Sequence, residues 1–268
     1  MTIIHGVSVQ KTDDYSVFWV SELSEDLKIA IRSRLAAVCN GVANVEGGSE
    51  MYCYKNTLKE FLKRYSSKTA NQKKGMLGEL LLHILLFAFF DEYKVNSPFF
   101  NMEERSVKKG FDVVLNKKGS SDIWIAESKA GELRSKKNTS QTVVELINTA
   151  QNDLYERLNG DSFSLWQNAI NGARLAISEK RDDRDAVIKI LQNYGTTASK
   201  EELSSNTINV ILVGSVFHSL TDPIDATPIS KKHSQIISSS KFNDVYLIAI
   251  QKSTYTKIYD FLVEESCI

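Results

Sequence analysis

Apolar positions along the first third of the chain recur at helical spacing, and later ones gather into short runs. Leu27, Ile31, Leu35 and Val38 fall on one stripe, which predicts a helix over about 24–40 with Ser24 as its cap. Residues 1–22 read as a short strand region with an irregular link. Gly47-Gly48 breaks the chain, a second helix is expected over about 50–65, and the polar stretch 66–74 reads as a loop. A strongly apolar helix follows over about 75–92. Three β runs come next: 93–97, stopped by Pro98; 111–115 (FDVVL); and 123–130 (IWIAESKA). The last two are joined by the turn residues 116–120, a hairpin signature. A helix over about 142–158 carries Val143, Leu146, Ile147, Ala150 and Leu154 on its apolar face, and 163–193 holds one or two more. The runs 208–217 and 245–250 are almost continuously apolar, as expected of strands buried on both faces; Lys231, Lys232 and His233 read as part of a loop between them, and a last helix is expected over about 255–263.

This order predicts an α/β sandwich: a mixed central sheet flanked by helices, with a helical N-terminal region over 1–70. No internal repeat or clean linker is visible, so one domain over 1–268 is expected.

Composition narrows the class. Of 268 residues, 42% are hydrophobic and 25% charged, which suits a globular protein with a real core. Net charge is zero, against a protein that coats nucleic acid unaided. The three cysteines, Cys39, Cys53 and Cys267, have no zinc or redox spacing, and no secretory leader pattern is seen, so a reducing cytoplasm is expected. The longest apolar run, 80–90, is 11 residues and too short for a membrane span.

The hairpin carries the candidate chemistry. Residues two apart on a strand share a face, roughly 6.6 Å apart, so Glu127 and Lys129 project together and a hairpin can bring Asp112 beside them. Partly buried charges are costly unless paired or metal-bound. Two carboxylates suit Mg²⁺, with Mn²⁺ able to substitute; such an ion polarises a phosphoryl oxygen and lowers the pKa of bound water. A lysine can offset charge in the transition state. This is the chemistry of phosphodiester hydrolysis. The plainer alternatives are an ion pair on an exposed strand for Glu127 and Lys129, and a core packing role for His83.

Asp112 followed by Glu127-x-Lys129 resembles the PD-(D/E)xK nuclease superfamily, although Phe111 stands where a proline is common. Gly78-Glu79, in the helix before the hairpin, resembles the place of an accessory acidic ligand. Gln151 and Tyr155, four apart on the next helix, resemble the QxxxY motif of the RecB-like branch. More narrowly, GELLLHILL, GFDVVL and IWIAESKAGE are similar to the HamA family, nuclease subunits of the Hachiman anti-phage system. The superfamily motifs cover about residues 75–160.

The resemblance implies a restriction-endonuclease-like core with Asp112 and Glu127 as metal ligands and Lys129 as the catalytic lysine. Glu79 would be an accessory ligand, and Gln151 and Tyr155 would orient the site or the backbone of the substrate. It further implies DNA as substrate and a HamB-like superfamily-2 helicase as partner. Nine basic residues (Arg105, Lys108, Lys109, Lys117, Lys118, Lys129, Arg134, Lys136 and Lys137) against four acidic ones suggest a basic rim. The rival readings are a catalytically idle binding module of the same fold and an RNA-directed nuclease.

Overall fold

The computed structural model describes residues 3–100, 110–160, 162–253 and 255–267. Strands β1 (Val7–Lys11), β2 (Tyr15–Val20), β3 (Tyr93–Val95), β4 (Val113–Lys117), β5 (Ile123–Glu132), β6 (Asn209–Phe217) and β7 (Asp244–Lys252) form one sheet, ordered β1-β2-β7-β6-β5-β4-β3. The central strands β2, β7, β6 and β5 are parallel, while the outer pairs β1–β2, β5–β4 and β4–β3 are antiparallel. The sheet is therefore mixed, as expected, and its parallel strands are the near-continuous apolar runs.

Helices cover both faces. On one lie α1 (Glu25–Asn40), the short α2 (Val42–Glu46), α3 (Tyr54–Ser66) and α4 (Ala70–Phe89), with α9 (Thr256–Ser266). Except for α2, their apolar sides join Trp124, Ala126, Ile211, Val213 and Ile248 in one core. On the other lie α5 (Thr139–Asn159), α6 (Phe163–Ala176), α7 (Arg184–Ser199) and α8 (Ala226–Ser238), which meet Ile123, Ile125, Val210 and Leu212. No helix among the described residues is long and apolar enough to cross a membrane.

Two sequence expectations need correction. The helix expected from Gly75 begins at Ala70, because Thr69 and Gln72 form a reciprocal capping box. Its polar first turn carries no apolar period and so reads as loop. The N-terminal strand region and helices are present as expected, and they are built into the sheet and core: β2 pairs with β7, and Phe18, Leu27, Ile31 and Phe61 lie in the core. Lys231, Lys232 and His233, expected in a loop, lie on α8. Parallel neighbours β6 and β7 need such a crossover. Its stripe is Ile229, Lys232 and Ile236, where a buried lysine interrupts the apolar signal. Lys232 Nζ donates a hydrogen bond to Gln151 Oε1 at 2.9 Å.

A second lysine is buried more completely. Lys252 ends β7, in register with Val20 on one side and Phe217 on the other. It is fully buried, and its Nζ has no hydrogen-bond partner among the described residues.

Candidate active site

On β5, Ile123 and Ile125 point into the core beneath α5, while Trp124 and Ala126 point toward α4. Strand alternation carries the first face on to Glu127 and Lys129. On β4, Val113 faces Ala126, so one further antiparallel step sets Asp112 opposite Glu127. The Ser128 amide donates to Asp112 Oδ2 at 2.8 Å, fixing the carboxylate at this junction. The expected convergence of Asp112, Glu127 and Lys129 is therefore present in the geometry.

Lys129 stands in register with Gly214 of β6. A Cβ at Gly214 would lie 2.7 Å from the Val143 carbonyl oxygen, so glycine is what lets α5 seat directly on the sheet here. Further along, α5 turns Asp153 and Arg157 toward β5. Lys129 Nζ donates to Glu127 Oε1 at 2.9 Å and meets Asp153 Oδ2 at 2.8 Å. Arg157 Nη1 donates to Glu127 Oε2 at 2.9 Å, and its Nη2 donates to the Gly110 carbonyl at 2.5 Å. The result is a continuous chain of charges: Asp153, Lys129, Glu127, Arg157.

Glu127 is only 2% exposed, whereas Lys129, Arg157 and Asp153 keep 28%, 30% and 44% of their side chains accessible. Burial, and then the neighbouring Asp112 charge, push the Glu127 carboxyl up to about 7, against the pull of Arg157 and Lys129. Burial works against the Lys129 ammonium, but Glu127, Asp153 and Asp112 outweigh it and hold the group above its usual range. With all five groups ionised, three carboxylates face two cations. Burial is the first reason that Glu127 resists ionisation, and the surplus negative charge adds to it.

A hard divalent cation fits this surplus. No group of three or more His, Cys, Asp or Glu side chains arranged for a metal occurs among the described residues. Mg²⁺, however, is commonly held by one or two carboxylates with several waters. Asp112 and Glu127 supply that donor set.

The other expected site residues lie on the flanking helices α4 and α5. Glu79 is on α4, beside Gly78, whose added Cβ would come within 2.6 Å of the Ala130 Cβ. Helix α4 packs in the layer across the sheet from Asp153 and Arg157. Gln151 is buried against Lys232 of α8. Tyr155 meets Phe242 edge-on, with ring centroids 6.3 Å apart, and Lys241 lies 4.6 Å over its ring. Neither is brought to the Glu-x-Lys cluster. His83 is buried edge-on to Phe99, and Glu132 pairs with Lys74 at 2.5 Å.

The basic rim is also redistributed. Arg105, Lys108 and Lys109 lie outside the described residues. Lys117 and Lys118 lie at the turn end of the hairpin, away from Asp112, and Arg134 and Lys137 both pair with Glu145.

Sequence reasoning missed Asp153 and Arg157. The signal was present: at about 100° per residue, they flank one side of the stripe Ala150, Leu154, Leu158, whereas Gln151 and Tyr155 flank the other.

Comparison with curated proteins and with solved structures returned no match. The HamA family model matches residues 8–265, from the first strand to the last helix. Nearly the whole chain is covered, and it belongs to the HamA family.

Proposed function

We propose that this chain is a metal-dependent nuclease that hydrolyses DNA phosphodiester bonds as the effector of a Hachiman anti-phage complex with a superfamily-2 helicase. Membership in the HamA family supports the defence context. The observation that carries the catalytic reading is the meeting of Asp112, Glu127 and Lys129 where β4 and β5 pair. An apolar strand end would have no packing reason to bury a carboxylate at 2% exposure beside a second one.

Asp112 and Glu127 would hold a Mg²⁺ ion, which supplies Lewis acidity and a water of lowered pKa. Ser128, through its amide, keeps Asp112 turned toward Glu127. Lys129, drawn toward Asp153 at one side, presents an ammonium that can neutralise charge developing on a phosphoryl oxygen. The partial exposure of Lys129 and Asp153 gives a phosphate access from solvent, while Glu127 stays shielded. The zero net charge of the chain suits a subunit that relies on a helicase for much of its grip on nucleic acid.

One observation favours a second reading. Both Glu127 oxygens are already bonded to cations, as in a purely structural ion-pair cluster of a binding module. A single assay separates the two: DNA cleavage by the chain with and without its helicase, in Mg²⁺ or EDTA, with Glu127→Ala and Lys129→Ala alongside. Metal-dependent cutting lost in both variants supports the nuclease. DNA binding without cutting under every metal condition supports the binding module.

A further inference from the structure

Arg157 is placed with more care than a surface arginine needs. Its fork spans the two strands that carry the proposed ligands: one nitrogen is on Glu127 of β5, and the other is on the carbonyl of Gly110, two residues before Asp112. The Phe111 ring lies below it, 5.9 Å from the guanidinium carbon, and is itself fixed edge-on by Trp166 at 5.0 Å. Glu127 has two oxygens. Lys129 takes Oε1, so Oε2 is the one left to a metal, and Arg157 holds it.

We infer that Arg157 is a placeholder cation: it sits where a divalent ion would engage Glu127 Oε2 and keeps the resting chain in a metal-poor, self-paired state. The inference rests on the metal-dependent reading of the same site. A guanidinium and a divalent cation cannot share that oxygen closely, because like charges repel strongly at contact distance. Metal entry therefore requires Arg157 to swing off Glu127. Its 30% exposure leaves it a path to do so. A phosphate is a suitable new partner, since a guanidinium binds phosphate bidentately. Metal and nucleic acid would then favour each other's binding through one side chain. Arg157 in this account is a positioning residue that acts through Glu127.

The test is Mn²⁺ binding to the full chain, by titration calorimetry and by loss of the free-ion paramagnetic signal, without any turnover. The proteins are wild type, Arg157→Gln, Arg157→Lys and Glu127→Gln, each checked by its metal-free melting curve. Removing one positive charge from contact with the ion site is expected to tighten Mn²⁺ binding by at least about tenfold in Arg157→Gln. Arg157→Lys keeps the charge but loses the fork, so a gain of a few-fold is expected; it also stands in should the glutamine variant fail to fold. Equal or weaker binding in these variants, while wild type binds and Glu127→Gln does not, overturns the placeholder role and leaves the metal site standing. Absence of binding in every protein, or undiminished binding in Glu127→Gln, overturns the metal site and the placeholder with it.

Discussion

Lys252→Met is expected to make this protein more stable, by an amount that depends on pH. The lysine is fully buried at the end of β7, with no hydrogen-bond partner for its amine among the described residues. Burial, and then the nearby Lys257 charge, lower the group from its ordinary 10.5 to about 8, against the pull of Glu22. The unfolded chain therefore holds this proton more tightly than the folded one. Stability from this group is present above about pH 10.5, declines as pH falls, and is fully lost below about pH 8. A displacement of about 2.5 pH units corresponds to about 3 kcal/mol at neutral pH. Methionine keeps an unbranched chain of similar length and removes the amine, so the core need not reorganise. The expected gain is about 3 kcal/mol at pH 7 and about 1.4 kcal/mol at pH 9.5. Urea denaturation at both pH values, with linear extrapolation, measures it. A methionine variant no more stable than wild type at pH 7 would refute the reasoning, and so would a gain of equal size at both pH values, since only a charge penalty varies with pH.

Gly214→Ala drives a methyl to within 2.7 Å of the Val143 carbonyl and 2.9 Å of its Cγ2, and a helix backbone cannot yield cheaply. A loss of about 2–3 kcal/mol is expected from lifting α5 off the sheet, read as a lowered melting temperature; an unchanged melt would show that α5 is not seated there. Asp153→Asn removes a charged partner of Lys129 at 2.8 Å while leaving Glu127 in place. Cleavage is expected to fall about ten- to a hundredfold, in kcat rather than KM, with the melting temperature unchanged. Full kcat in this variant would mean that Glu127 alone suffices to orient the lysine.

Much of the candidate site is legible because strand geometry is rigid. Alternation alone places Glu127 and Lys129 on one face, and the hairpin turn then leaves Asp112 few positions. What was illegible depends on non-local packing. Two flanks of α5 each carry a polar pair four residues apart, and periodicity treats them alike. Which flank meets β5 is decided by how the helix crosses the sheet, and that follows from the contact of Val143 with Gly214, about 70 residues further on. The crossover helix α8 escaped because a lysine fills a core position of its stripe. The place of β1 and β2 escaped because their partner strand comes more than 220 residues later.

That distance governs how the protein must be made. β7 alone joins the N-terminal pair β1–β2 to the block β6-β5-β4-β3, and it is synthesised next to last among the elements. Until the ribosome has released it, the nascent chain holds two unfinished half-sheets with apolar strand edges at β2 and β6, the kind of exposed edge that invites aggregation. A prematurely ended chain that lacks β7 cannot be a smaller working version. It is a substrate for chaperones and proteases rather than a partly working copy.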